Sequence, residues 1–544
     1  MAYQEGNRRR GREKCLVSAT DMLSSSHYPS PLVGRSWPKL WPILLLATAI
    51  SLFFIAQGCG NNTATIENDA GGYINAAVQA ASAGDTIVVP EGIYYEQVTL
   101  KSNVTIEAAA GAQVVVDGSE PSLIGKGWEQ QSDEVYYADV SWSVNYVAQD
   151  DLRLFRHSSR SALARGGYYN DTDAGRLYVR LSDGSDPNSH QMHVARRNHT
   201  FLFNGADNVT IRGIEHRYCN GNSDACIRLN RGADNNLIEG NTIHGAKYGI
   251  HIGGAEDDDG DDNNNPSIRL GSDNVIRNNT LYETGYKASD WSWDEIKGSQ
   301  QEGALIYLNQ SSAALIENNV LISHFDGIAV HNGSEAIISG NTISGCMDDG
   351  LELDIDTGAN VRAFDNSVDG CKVGVSAAPV NTGPLYVYRN VFTNIESYAF
   401  KVGWDAGSNG PTHFYHNSVY GGRDGITTTG GSAGANIVFR NNAIQVDGSA
   451  VWVKSDFAGH LDLDYDNLHG EISWKGSDYS DVSSFQAGSG QERQGISAPN
   501  QFIAPPDDLK PSATSPNIDK GVPLPGFNDN FCGPAPDIGA FEFC

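Results

Sequence analysis

One asparagine returns at the same place in a repeated phrase along this chain, and that repeat limits the available folds more than any other feature. Each copy follows a short apolar pattern, such as Asn236-Leu237-Ile238, and precedes a small or β-branched residue and an apolar one, such as Thr242-Ile243. From Asn319 onward the copies are 22, 25, 24, 27 and 25 residues apart. A nearly constant period of this size indicates one supersecondary unit stacked on its own copies. The repeated positions are Asn241, Asn279, Asn319, Asn341, Asn366, Asn390, Asn417 and Asn442.

The repeated unit consists of β-strands. Most periods hold three short β-type runs and no stretch long enough for an amphipathic helix. Three strands per turn, each pairing with its own copy one turn later, coil into parallel sheets that stack identical side chains about 4.8 Å apart. Leucine-rich repeats have a similar period, but their leucine consensus is absent. The sequence therefore predicts an all-β fold, a right-handed single-stranded parallel β-helix with three parallel sheets and an inward asparagine ladder.

The pattern divides the chain into five parts. Residues 1–59 form a targeting segment, and residues 60–119 form an N-terminal cap and the first coils. Residues 120–200 interrupt the repeat with alternating aromatic strands, which predicts a β-rich insertion. Residues 201–455 carry the main repeats, and residues 456–544 form a C-terminal coil and tail that close the helix.

The N-terminus predicts export. Residues 8–12 are basic, and residues 41–56 form an apolar run of 16 residues, too short for a comfortable membrane span. The run ends just before Cys59 and resembles a bacterial lipoprotein signal with Cys59 as the lipidated residue, although Ala56 replaces the expected leucine. An ordinary secretory signal and an uncleaved anchor are the alternatives. We therefore expect an exported bacterial protein, either a cell-envelope lipoprotein or a secreted protein.

The cysteines agree with an oxidising compartment. Six lie beyond the targeting segment, and six cysteines allow 15 connectivities. Cys346 and Cys371 lie one coil apart at nearly the same place in the repeat, so the register favours pairing them. The predicted disulfides are Cys346–Cys371, Cys219–Cys226 and Cys532–Cys544.

The charge balance restricts the partners. Lys and Arg number 37 against 66 Asp and Glu, a formal charge of −29. This excess argues against nucleic acid and against anionic membrane surfaces, so we expect membrane contact only through an N-terminal anchor. It also disfavours a polyanionic substrate unless a cation mediates. The expected partner is a polysaccharide, bound by a monomer.

The chain resembles the pectate-lyase-like (pectin lyase-fold) superfamily over residues 70–118 and 200–455. The asparagine repeat and a Gly-apolar-x-apolar phrase, such as Gly327-Ile328-Ala329-Val330, carry the resemblance, and residues 537–542 are similar to the end of many secreted bacterial β-helix proteins. The resemblance implies that the strand with this phrase belongs to the first sheet, whose outer face forms the substrate groove. It is specific for architecture and weak for reaction, because this fold hosts many functions.

Strand alternation places acids on that outer face. Ile328 and Leu351 point inward, so the neighbouring residues that alternate with them along each strand point outward. The acids among these outward residues lie within about four coils, a span of roughly 15 Å. Carboxylates this close repel one another, so one should have a raised pKa or share a cation; acids scattered on any outer face are the alternative. Glu302 and Leu305 fall in the same predicted columns. The candidate catalytic residues are Asp326, Asp349, Glu352, Asp354 and Lys401, and the candidate substrate-binding residues of these strands are His251, Tyr307 and His331.

Two long loops border this face. One carries Trp291 and Trp293, which either stack on sugar rings or form the small core of the loop. The other, residues 255–262, is strongly acidic and either binds Ca²⁺ through oxygen ligands or is simply solvated. Both loops would stand beside the groove as its walls.

Hydrolysis is the first of two enzymatic interpretations, and it requires two carboxyl groups. The order of acids resembles polygalacturonase-type hydrolases: Asp326 stands at the first aspartate, Asp348-Asp349 at the aspartate pair and Lys401 at the substrate-binding lysine. The chain departs from that pattern in offering Gly374-Val375-Ser376 where a histidine is expected. His324-Phe325-Asp326 also replaces Asn-Thr-Asp.

A calcium-dependent lyase acting by β-elimination on a uronic-acid polymer is the second interpretation. Asp349, Glu352 and Asp354 would hold Ca²⁺, with Lys401 or Lys372 as the base. A non-catalytic carbohydrate-binding or surface structural β-helix is a third hypothesis. We favour hydrolysis slightly, because a carboxylate pair needs no additional ion.

Overall fold

The repeated asparagines form one continuous buried column in the computed structural model of the chain. The Oδ1 atom of Asn341 accepts hydrogen bonds from the backbone N of Asn319 at 2.9 Å and from its Nδ2 at 3.0 Å. The Nδ2 atom of Asn341 donates in turn to Oδ1 of Asn366 at 2.9 Å. The same contacts connect all eight repeated positions from Asn241 to Asn442. The predicted asparagine ladder is confirmed.

The structure describes residues 72–222, 225–253, 271–286, 291–404, 410–430 and 436–544. All of them belong to one unit, Thr63–Cys544. Among these residues, no helix is both long enough and apolar enough to cross a membrane. Cys59 and the acidic loop 255–262 lie outside the described residues, and their predicted roles stay predictions.

Each coil contributes one strand to each of three parallel sheets. Sheet II precedes the asparagine turn, sheet III follows it, and sheet I comes after the next turn. In the last four coils one long strand runs through both sheet III and sheet I. The strands of sheet II are Thr86–Val89, Thr105–Ala108, Thr210–Arg212, Leu237–Glu239, Val275–Arg277, Leu315–Glu317, Ile337–Ser339, Val361–Phe364, Leu385–Tyr388, Thr412–Tyr415, Ile437–Arg440 and Leu461–Asp464.

Sheets III and I are joined by these long strands in the last four coils only. The strands of sheet III alone are Gly92–Tyr94, Val114–Asp117, Glu215–Arg217, Thr242–His244, Thr280–Tyr282, Val320–Ile322, Thr342–Ser344 and Ser367–Asp369. Those of sheet I alone are Val98–Thr99, Phe201–Leu202, Ala225–Leu229, Tyr248–Gly253, Gly271–Ser272, Ala304–Ser312, Asp326–Ser334, Asp349–Glu352 and Val373–Ala377. The shared strands are Val391–Trp404, Ser418–Gly430, Ala443–Val453 and Asn467–Trp474. The all-β parallel helix is therefore as predicted.

Close backbone contact explains the glycine that opens several strands of sheet I. A Cβ added to Gly327 would lie 2.5 Å from the carbonyl oxygen of Gly350, and one on Gly374 would lie 2.6 Å from that of Ala399. Such distances leave no room for a side chain where sheets III and I meet. The repeated Gly-apolar-x-apolar phrase thus records the tight stacking of successive coils.

Short helices cover both ends of the core. Helix Tyr73–Ala80 buries Ile74 and Val78, and helix Val482–Ser489 places Phe485 against Trp474, with 5.4 Å between ring centroids. Each end would otherwise expose apolar side chains of a terminal coil to water. The remaining elements are helix Trp293–Gly298, 3₁₀ turns Pro121–Leu123, Arg160–Ala162 and Pro187–Ser189, and strands Ser477–Tyr479, Phe502–Ala504 and Asp508–Pro511.

Residues 120–200 leave the coil and form a separate, mostly antiparallel sheet with its own apolar core. An isolated antiparallel β-bridge between Ser119 and Ala195 lies where the insertion leaves and rejoins the β-helix. The strands are Glu129–Ser132, Val135–Asp139, Val147–Gln149, Leu152–Arg156, Gly167–Asp171, Arg176–Arg180 and Met192–Val194.

Two of the three expected disulfides are present, Cys219–Cys226 and Cys532–Cys544. The expected Cys346–Cys371 bond is not formed, which corrects that prediction. The backbone N of Cys346 lies 3.2 Å from Sγ of Cys371, so the two do stack on adjacent coils. In-register parallel stacking spaces equivalent residues about 4.8 Å apart with parallel Cβ directions, whereas a disulfide needs Cβ atoms about 3.8 Å apart.

A pair of buried acids terminates the asparagine ladder. Asp466 takes the next ladder position and accepts from the backbone N of Asn442 at 2.6 Å. Glu492 lies beside it, accepting from the backbone N of Asp466 at 3.2 Å. Burial raises the pKa of Asp466 to about 6, and burial together with the Asp466 charge raises the pKa of Glu492 well above its usual value. The folded pair therefore retains a proton at pH values where free carboxyl groups have lost theirs.

We expect Glu492→Gln to remove much of the alkaline loss of stability. Between the ordinary and the raised carboxyl pKa values the folded state binds more protons than the unfolded state, so the free energy of unfolding falls as pH rises. Glutamine has no proton to lose, so the stability of the variant relative to wild type should rise between pH 4 and pH 8. Thermal unfolding at both pH values measures this, with the exposed Glu471→Gln on a nearby strand as control. An unchanged pH dependence in Glu492→Gln would contradict the shared proton.

Candidate active site

Two stacked aspartates begin adjacent strands of sheet I. Ile328 pairs with Leu351, and both are fully buried in the core. Asp326 and Asp349, two residues earlier in each strand, therefore lie over one another. A Cβ on Gly327 would lie 2.7 Å from Cγ2 of the core residue Ile343, so this glycine faces inward together with Ile328, and the aspartate before it points outward. The two outward columns in coil order are Tyr248, Ala304, Asp326, Asp349, Val373 and Tyr398, and Arg228, His251, Tyr307, Ala329, Glu352, Ser376 and Lys401.

One coil differs from the predicted register. The phrase repeat predicts Leu305 beside His251, whereas the structure pairs His251 with Tyr307. Glu302 consequently precedes the strand and lies outside the columns, and Tyr307 shares a column with Glu352. The chain between sheet III and sheet I is long in this coil and contains helix Trp293–Gly298. The repeat period therefore does not predict the register of the strand that follows.

Three aspartates converge on this face. One carboxylate oxygen from each of Asp326, Asp348 and Asp349 lies within 4.8 Å of the others. The backbone N of Asp349 donates to Oδ1 of Asp326 at 3.0 Å, while Oδ1 of Asp349 is buried without a hydrogen bond among the described residues. Together with Glu352 and Asp354, these three form the carboxylate cluster, five acids on two consecutive strands of sheet I and the residues that flank the second strand.

The carboxylate cluster divides into groups of high and low proton affinity. Burial, then the neighbouring carboxylates, raise the pKa of Asp326 well above its usual value. Burial raises the pKa of Asp349 likewise, although Lys401 opposes the shift. Burial also acts to raise the pKa of Glu352, but the His331 imidazole outweighs it and the pKa is lowered. Protonated and ionised carboxyl groups therefore coexist within one site.

Two lysines supply the compensating charge. Lys401 Nζ lies 3.5 Å from Oδ2 of Asp349, and Lys297 Nζ lies 3.5 Å from Oδ2 of Asp348. Burial acts to lower the pKa of each lysine, but the surrounding carboxylates outweigh it and raise both values. Both side chains therefore remain ammonium ions.

The predicted substrate-binding residues of sheet I form one patch beside Glu352. His331 Nε2 lies 3.3 Å from Oε2 of Glu352, and the hydroxyl of Tyr307 lies 3.3 Å from His331 Nδ1. The rings of His251 and Tyr307 are 4.6 Å apart, and Tyr248 lies nearly parallel to Tyr307 at 5.2 Å. An aromatic surface thus adjoins the acids on their N-terminal side.

The predicted calcium ligands Asp349, Glu352 and Asp354 each have another partner. Asp354 Oδ1 accepts from the Ser376 hydroxyl and from the backbone N of Ala378, each at 2.8 Å. Glu352 faces His331, and Asp349 faces Lys401. The acids whose oxygens lie closest are instead Asp326, Asp348 and Asp349, so any cation would sit between Lys297 and Lys401.

Helix Trp293–Gly298 forms one wall of the site. Ser292 caps it, with a reciprocal contact to Glu295. Trp293 and Lys297 lie one turn apart on this helix, and the Lys372 ammonium covers the Trp293 ring at 3.4 Å from its centroid. Burial lowers the pKa of Lys372. Two lysines, Lys297 and Lys372, therefore lie between Trp293 and the acids.

The insertion supports this wall. Trp291 stacks on Phe155 of the insertion at 5.1 Å, and Arg153 Nη1 donates to the Tyr286 hydroxyl at 2.6 Å. Phe155, Tyr286, Ile296 and Phe325 form a buried cluster under the wall. Trp291 thus contributes to the core of the loop, the alternative to sugar stacking that the sequence left open.

Sequence reasoning missed Lys297 as a site residue and mentioned Asp348 only within the aspartate pair. Lys297 lies in a loop outside the repeat, so no register argument reaches it. Its spacing of four from Trp293, after the Ser292 and Glu295 capping pattern, was the available signal.

Comparison with known proteins supports the architecture. The family described as "Right handed beta helix region" matches residues 286–444. The solved structure of XylC with xylose superposes with a TM-score of 0.59 at 18% identity, covering 79% of this chain and 84% of that one. Pectate lyase Pel9A gives a TM-score of 0.43 at 14% identity, covering 86% and 90%, and an exopolygalacturonase from Thermotoga maritima gives 0.40 at 13%, covering 73% and 85%. No curated protein sequence matches the chain significantly.

Proposed function

Since the chain is a right-handed parallel β-helix of the pectate-lyase-like architecture, we propose that it is an exported enzyme that hydrolyses glycosidic bonds of a polysaccharide lying along sheet I. The observation that carries the proposal is the geometry of the carboxylate cluster, in which Asp349 lies 3.5 Å from Lys401 and Glu352 lies 3.3 Å from His331. Asp349 and Asp326 favour a bound proton, whereas Glu352 favours the ionised form. Glycoside hydrolysis requires such a pair, one acid to donate and one carboxylate to assist attack.

The roles follow from the contacts of each acid. Asp349 donates its proton to the glycosidic oxygen, so the bond to the leaving sugar breaks as a hydroxyl forms. Lys401, 3.5 Å away, stabilises the carboxylate left on Asp349. Glu352, oriented by His331, assists on the opposite side of the cleaved bond, and water supplies the hydroxyl and the proton that restore the site.

The positions of the lysines favour hydrolysis over β-elimination. A lyase needs a positive charge that neutralises the substrate carboxylate and, in addition, an unprotonated base that takes the adjacent proton. Lys297 and Lys401 already hold positive charge beside the three closest aspartates, and the raised pKa of Lys401 makes it a poor base. The convergence of Asp326, Asp348 and Asp349 is the observation that favours a calcium-dependent lyase, with Lys372 as its base.

A polysaccharide panel tests the proposal. The protein is incubated with polygalacturonate, pectin, xylan, arabinan and β-glucan, with and without EDTA. Reducing ends and the ultraviolet absorbance of unsaturated uronates are followed together. Hydrolysis predicts EDTA-resistant reducing ends without absorbance. Absorbance abolished by EDTA would establish the lyase instead, and binding without product would favour a carbohydrate-binding protein.

A further inference from the structure

The outward column that holds Glu352 continues well beyond the carboxylate cluster. Lys401 pairs with Thr427, and Thr427 pairs with Trp452. Trp452 therefore stands in the same column as Glu352, four coils further along, at a distance of about 19 Å at standard strand spacing. Every residue of this column between the two positions lies on the same outer face of sheet I.

Trp452 has no role in the core. Its neighbours Val451 and Val453 point inward and are buried, whereas 40% of the Trp452 side chain is exposed. The Lys454 ammonium lies 5.6 Å from the ring centroid. A large aromatic ring left open to water on a sheet face is unfavourable for the isolated protein, and it offers a flat apolar platform with an electron-rich face.

Thr427 lies between Lys401 and Trp452 in this column and carries a hydroxyl group. Its side chain is 2% exposed, and its hydroxyl oxygen is buried without a hydrogen-bond partner among the described residues. A buried hydroxyl without a partner is costly, and a ligand hydroxyl would satisfy it. An ammonium, a hydroxyl and an indole thus follow one another along the column at coil spacing.

We propose that Trp452 is a distal sugar-binding subsite, with Thr427 as its polar neighbour, and that the ligand is a polysaccharide chain running along the helix axis. The C–H groups of a pyranose face would stack on the indole, and a sugar hydroxyl would bond to Thr427. One pyranose ring with its linking oxygen spans about the height of one coil, so the chain extends about four rings from the bond cleaved beside Glu352. This length rests on the proposed function, whereas stacking on Trp452 does not.

Binding to the Asp349→Asn protein tests the subsite without turnover. The probes are xylo-, cello- and galacturono-oligosaccharides from disaccharide to octasaccharide, measured by calorimetry and by tryptophan fluorescence. Adding Trp452→Ala should raise the Kd of hexa- and octasaccharides about tenfold, with a smaller effect as the chain shortens. Trp452→Phe should restore most of the affinity. Tyr73→Ala, which removes a comparably exposed aromatic ring of 43% exposure at the N-terminal helix, is the control.

Each outcome bears separately on the two proposals. Equal loss for short and long saccharides, equal loss in Tyr73→Ala, or no saccharide binding at all would overturn the subsite. Length-dependent loss on Trp452→Ala without cleavage in the polysaccharide panel would retain the subsite and refute hydrolysis. Cleavage in the panel together with a Kd that Trp452→Ala leaves unchanged would retain hydrolysis and refute the subsite.

Discussion

Asp349→Asn is expected to lower kcat by about 10²–10⁴-fold, because the amide cannot deliver a proton to the departing sugar oxygen. Asparagine preserves the shape of the side chain and the backbone hydrogen bond from Asp349 to Asp326. Substrate affinity should therefore change much less than kcat. Wild-type kcat/KM should be bell-shaped in pH, falling on the acid side as Glu352 is protonated and on the alkaline side as the Asp326–Asp349 pair loses its proton.

Initial rates on the polysaccharide identified in the panel measure this prediction across the pH range. Asp478→Asn, which makes the same chemical change at an exposed position, is the matched control. The residual activity of Asp349→Asn should lose the alkaline fall, since the group that titrates there is gone. A variant that keeps wild-type kcat would remove Asp349 from the chemistry, and an unchanged alkaline limb would assign that limb to another group.

Asn341→Ala should lower the free energy of unfolding by about 3–5 kcal/mol, the largest stability change that we expect from one ladder residue. Asn341 is 1% exposed. Its amide nitrogen donates to the carbonyl of Ile316 at 3.0 Å, and its oxygen accepts two bonds from Asn319. Alanine leaves these buried groups of both adjacent coils without partners.

Guanidinium unfolding followed by far-ultraviolet circular dichroism measures the change. Asn530→Ala, at an exposed asparagine of the C-terminal tail, should alter stability by no more than about 0.5 kcal/mol. A ladder variant as stable as this control would mean that the asparagine ladder does not contribute measurably to the free energy of unfolding. Because each coil contacts mainly its neighbours, a broadened transition for Asn341→Ala would indicate that the two halves of the helix unfold separately.

The repeat made the placement of several site residues predictable. In-register parallel stacking puts equivalent positions directly above one another, so counting from each ladder asparagine brings Asp326, Asp349, Glu352 and Lys401 to one face before any coordinates are known. The same counting extends through Gly425-Ile426-Thr427 to Trp452, where Ala450 takes the place of the glycine as Ala399 does before Lys401.

The sequence by itself determined the β-helix, the ladder and the face that carries the acids, because these depend on a period that local strand and turn preferences enforce coil after coil. Only the tertiary structure decided which lysine neutralises which aspartate and that Tyr307, not Leu305, joins the column of Glu352. It also showed that Cys346 and Cys371 stack without bonding. Lys297 reaches Asp348 from a helix in a loop of irregular length, and such contacts depend on distances of a few ångströms across the fold, which a periodic pattern does not encode.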